Sequence, residues 1–352
     1  MINNLKDCYI IAGPCAAESE SQVMETATLL ASMGITTFRV GVWKPRTHPG
    51  CFEGRGEEAL KWLGRVKKDL SMKVAVEVAT PEHVRLALDY GVDILWIGAR
   101  TTANPFLVQA IADELSHVSR DIQVFVKNPT NPDVDLWIGS IERIKAAGIS
   151  KIAAVHRGFS TYGRSEYRNN PMWQLPMDFR RRMPEIPLLC DPSHIGGKRE
   201  LVAPISQQAL DLGFDGLMIE CHCSPEKALS DSQQQLMPKE LGAVLASLTV
   251  RDHDSKLEQI NILRKQIDEL DSQMIDVIAR RMEICREIGR YKKENNMTVF
   301  QSNRYKSVLE RLMNEAQKRN VDADCVKAIF EAIHEESVRQ QSDLKFTVDA
   351  DR

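Results

Sequence analysis

This sequence lacks the features that would place it in a membrane, on nucleic acid or outside the cell. No apolar run approaches the roughly 20 residues needed to cross a bilayer. Over 352 residues the formal net charge is only −3, so no excess of either sign marks nucleic acid or an anionic lipid surface as a partner. Eight cysteines are scattered without the paired spacing of a zinc knuckle or a disulfide framework, which fits a reducing compartment. The apolar start at 9–17 has no basic leader and runs straight into Glu18, Ser19 and Glu20, so it reads as a first strand and not as a secretion signal. A cytoplasmic protein acting on small molecules is expected.

What the sequence does contain is a recurrence of short, continuous Val/Ile/Leu runs. They fall at 8–15 (CYIIAGPC), 36–42 (TTFRVGV, followed by WKPRT), 73–78 (KVAVEV) and 94–100 (ILWIGAR). Four more follow at 122–128 (IQVFVKN), 151–158 (KIAAVHRG), 187–194 (PLLCDPSH) and 216–222 (GLMIECH). Continuous rather than alternating apolar runs mean strands buried on both faces, as in a parallel sheet. A helix-length stretch separates each run from the next, and this pattern predicts an α/β fold, a (β/α)8 barrel. A last helix over 238–248 closes it, so the barrel should span 1–248, followed by a polar linker at 249–256. Chemistry is then expected at the C-terminal ends of the strands.

Those ends are rich in functional side chains. Arg39, Lys44, Arg46, Arg100, Lys127 and Arg157 form a ring of cations, suited to a substrate with more than one anionic group, such as phosphate plus carboxylate. Cys15, His194, Glu220 and Asp231 form a second set, whose mixed donors suit a divalent transition metal such as Mn, Fe, Co or Zn. Alternation along GLMIECH puts Cys221 and Cys223 on the side of the strand opposite Glu220, so ordinary packing is expected for both.

GPC at 13–15, FRVGVWKPRT at 38–47, IGAR at 97–100, DPSH at 191–194 and IECHCSPEKALSD at 219–231 together resemble the 3-deoxy-D-arabino-heptulosonate 7-phosphate synthases. Within that family they are similar to the compact branch related to 3-deoxy-D-manno-octulosonate 8-phosphate synthase. The resemblance implies condensation of phosphoenolpyruvate with erythrose 4-phosphate, the first step of the shikimate pathway. It implies metal binding by Cys15, His194, Glu220 and Asp231. Phosphoenolpyruvate would be held by Arg39, Lys44, Glu77, Ala99, Arg100, Lys127 and Arg157, with Lys44 also catalytic. Pro45, Arg46, Thr47 and Asp191 would take the aldose phosphate. Glu77 and Asp191 are also placed to orient water or sugar hydroxyls, and the proton transfers stay unassigned. KPRT favours the four-carbon aldose, whereas Lys127-Asn128-Pro129 reads more like the octulosonate branch, so arabinose 5-phosphate remains the alternative substrate.

Beyond the linker, glycine and proline nearly vanish, and 257–345 reads as all-helical with a short tail at 346–352. Apolar residues at Ile260, Leu263, Ile267, Leu270, Met274, Val277, Cys285 and Ile288 predict one helix roughly 50 Å long. Two shorter helices follow, over about 303–319 and 323–342. The first is too long for the other two to cover, which predicts a helical homodimer, with a higher homo-oligomer left open. Polar residues interrupt the apolar stripes: Arg281 and Lys292 (eleven residues apart, about 20° round the helix), Arg304, Ser337 and Gln341. Polar groups converging on a core need partners.

LRKQID at 263–268, ARRMEI at 279–284, Lys292 and ESVRQQ at 336–341 resemble the all-helical chorismate mutases, intertwined dimers that rearrange chorismate to prephenate. The resemblance implies that Arg281 and Arg304 clamp two carboxylates and that Lys292 and Gln341 donate to the ether oxygen. Ser337 and Gln301 would complete the pocket, with Arg264 acting on the partner's site. Arg264 lies about 260° round the helix from Arg281, which agrees with a role in trans. Tyr305 departs from the family pattern, where many members carry a glutamate that contacts the substrate hydroxyl. Two readings therefore stay open: a bifunctional enzyme, or a barrel enzyme with a helical sensing and dimerisation module. The barrel is expected to start almost at residue 1, without a regulatory domain ahead of it. The linker reaches at most roughly 25–30 Å, so feedback by prephenate or chorismate through the helical part is expected.

Overall fold

The computed structural model describes residue 5 and residues 8–44, 50, 52–118, 121–163, 165–251, 257–299 and 302–346; for 257–259, 261–262, 302–303 and 343–346 the backbone alone is described. The chain divides into two compact units, 1–251 and 252–352.

In the first unit eight parallel strands close into a barrel in sequence order. They are β1 (Tyr9–Gly13), β2 (Thr37–Val40), β3 (Lys73–Val78), β4 (Ile94–Ile97), β5 (Gln123–Lys127), β6 (Lys151–His156), β7 (Leu188–Cys190) and β8 (Gly216–Glu220). Closure is by β1 against β8, with Gly13 in register with Glu220. Successive residues alternate between two apolar layers. Ile11, Ala75, Ile94, Trp96, Phe125, Ala153, Val155, Leu189 and Met218 fill the interior, whereas Phe38, Val74, Val76, Leu95, Val124, Val126 and Ile219 pack against the helices. Carrying this alternation to the strand ends brings Arg39, Glu77, Lys127, Arg157, Asp191 and Glu220 onto the interior side. Cys221 joins the outer layer as ordinary packing, and Cys223 is half-buried.

The strands end earlier than the apolar runs. Arg100 lies on a single helical turn, Ala99–Thr102, and His194 on another, Pro192–Gly196. The Asp191 carboxylate caps the latter by accepting from the His194 backbone N–H at 3.1 Å.

The described residues of the second unit form three helices, Leu257–Glu294, Ser302–Lys318 and Ala323–Phe346. The first and third pack together, as do the second and third. Among the described residues, no helix is long and apolar enough to cross a membrane.

Candidate active sites

At the barrel mouth, Cys15, Glu220 and Asp231 bring one donor atom each within 4.8 Å of one another, the only such group of three or more among the described residues. His194 stands beside them, its Nε2 3.7 Å from Glu220 Oε1. Its Nδ1 lies 2.8 Å from Asp191 Oδ2, an ion-pair distance without hydrogen-bond geometry, and Nε2 is the ring nitrogen turned towards Glu220. Glu220 Oε1 is buried with no hydrogen-bond partner. A buried carboxylate oxygen, a thiol and a second carboxylate, with an imidazole nitrogen beside them, fit a divalent transition metal.

Burial, together with Glu220, pushes the Cys15 thiol up to about 12. A thiolate there needs cations around it. Lys44 Nζ supplies one, 3.0 Å from Sγ, and also donates to the Cys15 carbonyl at 3.1 Å. Gly41 permits this approach: a Cβ there would come within 2.6 Å of the Cys15 carbonyl oxygen and 2.8 Å of Lys44 Cδ.

Two of the expected substrate-binding cations also pair with acids. Lys127 pairs with Asp191 at 2.7 Å and Arg39 with Glu220 at 3.3 Å, all four side chains buried. Burial would raise the Asp191 carboxyl, yet His194, Lys127 and Arg39 hold it well below the usual carboxylate range. Arg39 lies over Trp96, 4.9 Å from the ring centre, and its Nε and Nη1 are buried without hydrogen-bond partners. Such donors call for an anionic ligand. Arg157 is depressed to about 10, first by burial and further by the nearby positive charges of Arg168 and Arg100. Glu77 lies against Gly98, where a Cβ would sit 2.1 Å from its Oε1. Ala99 begins the turn that carries Arg100. Pro45, Arg46 and Thr47 lie outside the described residues.

Asn128 has a structural job. Its Oδ1 accepts from the Arg157 backbone N–H at 2.7 Å, and its Nδ2 donates to the carbonyls of Pro129 and Gly158. His222 stays outside the metal group, with Nδ1 accepting from the Ser224 N–H and Nε2 3.7 Å from Glu18.

The helical unit holds a cavity of about 410 Å³ lined by Arg281, Lys292, Arg304, Ser337 and Gln341. Arg281 donates to Ser337 Oγ at 2.6 Å, and Ser337 donates to the Ile333 carbonyl at 2.7 Å. Lys292 Nζ donates to the Val299 carbonyl at 2.6 Å and to Gln341 Oε1 at 3.3 Å. Gln301 lies outside the described residues, and Arg264 does not line the cavity. Sequence reasoning missed Arg311 and His334 on its wall. His334 stacks on Tyr305 at 4.2 Å, and burial, with Arg281 and Lys292, lowers its pKa. The i, i+4 step from Phe330 to His334 was the available signal. At the barrel it also missed Arg168, Gln234 and Gln235, the last of which accepts from the Cys15 N–H at 2.8 Å. The Gln233–Gln235 run next to Asp231 was the only hint.

The model for the DAHP synthetase I family matches residues 2–256, and that for chorismate mutase type II matches residues 263–342. The chain is 35% identical over 227 residues to a phospho-2-dehydro-3-deoxyheptonate aldolase of Thermotoga maritima, covering 64% of each. It is 30% identical over 273 residues to a 2-dehydro-3-deoxyphosphooctonate aldolase of Variovorax paradoxus, covering 70% of this chain and 91% of the relative. A crystal structure of a Thermotoga maritima DAHP synthase superposes with a TM-score of 0.60 at 32% identity, over 68% of this chain and 67% of that one.

Proposed function

Because the chain belongs to the DAHP synthetase I family, we propose that the barrel condenses phosphoenolpyruvate with erythrose 4-phosphate and that the helical unit rearranges chorismate to prephenate. The observation that carries the barrel reading is the convergence of Cys15, Glu220 and Asp231 within 4.8 Å beside the unpartnered donors of Arg39.

Arg39, Lys44, Arg100, Lys127 and Arg157 hold the carboxylate and phosphate of phosphoenolpyruvate, with Glu77 and Ala99 on the wall of that site. Arg46, with Pro45 and Thr47, takes the aldose phosphate. A divalent cation of the Mn, Fe, Co or Zn class, held by Cys15, His194, Glu220 and Asp231, would polarise the aldehyde. The enol C3 attacks that carbonyl carbon, water adds at C2, and inorganic phosphate leaves from C2. Glu77 and Asp191 orient the water and the sugar hydroxyls, and Lys44 keeps the Cys15 thiolate charged. The higher identity to the heptonate aldolase than to the octonate relatives supports the four-carbon aldose.

In the helical unit, Arg281 and Arg304 clamp the two carboxylates of chorismate, while Lys292 and Gln341 donate to the breaking ether bond. Holding the compact conformer and stabilising that oxygen are sufficient for a pericyclic reaction. Ser337, which orients Arg281, and Gln301 complete the pocket, and Arg264 reaches the site of a second copy.

Metal removal tests the division of labour. A chelator, or Cys15→Ala, is expected to abolish condensation and leave loss of chorismate unchanged, since the rearrangement uses only cationic and neutral donors. Full condensation by metal-stripped protein would refute the metal assignment. Equal turnover of arabinose 5-phosphate and erythrose 4-phosphate would move the barrel to the octulosonate branch.

A further inference from the structure

Arg168 is half-exposed on the loop after β6, yet its Nη1 donates to two acceptors that matter: Asp231 Oδ1 at 2.9 Å and Gln234 Oε1 at 2.6 Å. A guanidinium can only donate. The carbonyl end of the buried Gln234 amide must therefore face Arg168, which turns its NH2 end to the other side. There it donates to Glu220 Oε2 at 2.7 Å. The order Arg168 to Gln234 to Glu220 is fixed in direction, because a carboxylate at its end can only accept.

This relay touches both carboxylates of the metal group and uses one oxygen of each. Asp231 Oδ1 goes to Arg168, leaving Oδ2, the oxygen 3.3 Å from Cys15 Sγ. Glu220 Oε2 goes to Gln234, leaving Oε1, which makes no hydrogen bond, faces His194 Nε2 and has Arg39 Nη2 beside it at 3.3 Å as its ion-pair partner. The same segment braces the helical turn that carries His194. Arg168 N donates to the Gly196 carbonyl, and Asn169 donates to the carbonyls of His194 and Ile195. Gly197, at φ 67°, lies so close to Arg168 that a Cβ there would meet the Arg168 Cβ at 2.5 Å. Asp231 itself sits at φ 49°, a left-handed conformation that needs its surroundings to hold it.

We infer that Arg168 and Gln234 are positioning residues that allot one oxygen of Asp231 and one of Glu220 to the metal, making both acids single-oxygen ligands. The inference rests on the metal reading proposed above. Without the relay both acids can turn a second oxygen to the ion, and the coordination number rises.

The test is cobalt titration of the metal-stripped full chain, following affinity and the visible d–d band, for wild type, Gln234→Leu and Arg168→Lys. Leucine removes both ends of the relay at similar volume, and lysine keeps the charge but not the forked geometry. Each variant is expected to bind cobalt 10–100-fold more weakly, as outer-sphere changes at metal sites usually do. The d–d band is expected to lose intensity as coordination rises, while KM for phosphoenolpyruvate stays within about twofold at saturating metal. Wild-type affinity and an unchanged band in either folded variant overturn the inference and leave the metal reading intact. A wild-type chain that takes up no cobalt overturns both.

Discussion

His156 ends β6 with its ring among Trp137, Phe159, Trp173 and Phe214, at centroid distances of 5.4–6.5 Å, and is fully buried. Burial lowers its pKa from 6.5 to about 3, so the fold holds the ring neutral. Below pH 6.5 the unfolded chain takes up a proton that the folded chain refuses. The stability this neutral ring contributes is therefore complete above pH 6.5 and is lost as pH falls from 6.5 towards 3. By pH 5 that loss amounts to roughly 2 kcal/mol, at 1.36 kcal/mol per pH unit. His156→Phe, which keeps an aromatic ring in the nest, is expected to lose about that much less stability than wild type between pH 7 and pH 5 in urea unfolding. Identical losses would place the acid sensitivity elsewhere. Arg157, the next residue, faces the opposite way. The period of two packs one neighbour against the helices and turns the other to the barrel interior.

At the scale of elements, the existence and order of all eight strands were legible because each is buried on both faces and so reads as an unbroken apolar run. Their ends were not. Arg100 and His194 sit on single helical turns too short to show any period, the second held by the Asp191 cap at its start and the left-handed Gly197 at its end. The pairings Lys127–Asp191 and Arg168–Asp231 join residues 64 and 63 positions apart, a distance over which no local pattern carries information. The long helix Leu257–Glu294 was legible in full, and so was its unfinished packing. Leu263, Ile267, Leu270 and Met274, spaced four, three and four residues apart, are each 52–57% exposed within this unit. A contiguous apolar row on a helix that already packs against Ala323–Phe346 suits a second copy of the same helix. Leu270→Asp is expected to convert a dimer into a monomer in light scattering and to abolish chorismate turnover. If the sites are shared, inactive Arg264→Ala and Arg281→Ala chains should regain activity when co-refolded, since one intact site then forms in each mixed dimer. No recovery on mixing rules out action in trans.

At the scale of the whole molecule, two pockets share one chain: a mouth on the barrel where Cys15, Glu220 and Asp231 gather among cations, and a cationic cavity among helices. The families they match act at the entrance to a pathway and on one of its later intermediates, which makes the second pocket a natural place to read supply for the first. Such a link needs only that prephenate or chorismate bind more tightly to a state in which the barrel is less active. The coupling must be reciprocal in binding affinity, so phosphoenolpyruvate at the barrel should weaken prephenate in the helical cavity by the same factor. Titrating prephenate into the condensation assay is expected to inhibit wild type and to leave Arg281→Ala uninhibited, because Arg281, bonded to Ser337, is the carboxylate clamp proposed above. Separately, calorimetry should give a weaker prephenate affinity with phosphoenolpyruvate present than without it. Equal inhibition of both proteins would locate the inhibitory site outside the helical cavity. No inhibition of either, with affinities that ignore the other ligand, would mean that the two activities share a chain without regulating each other.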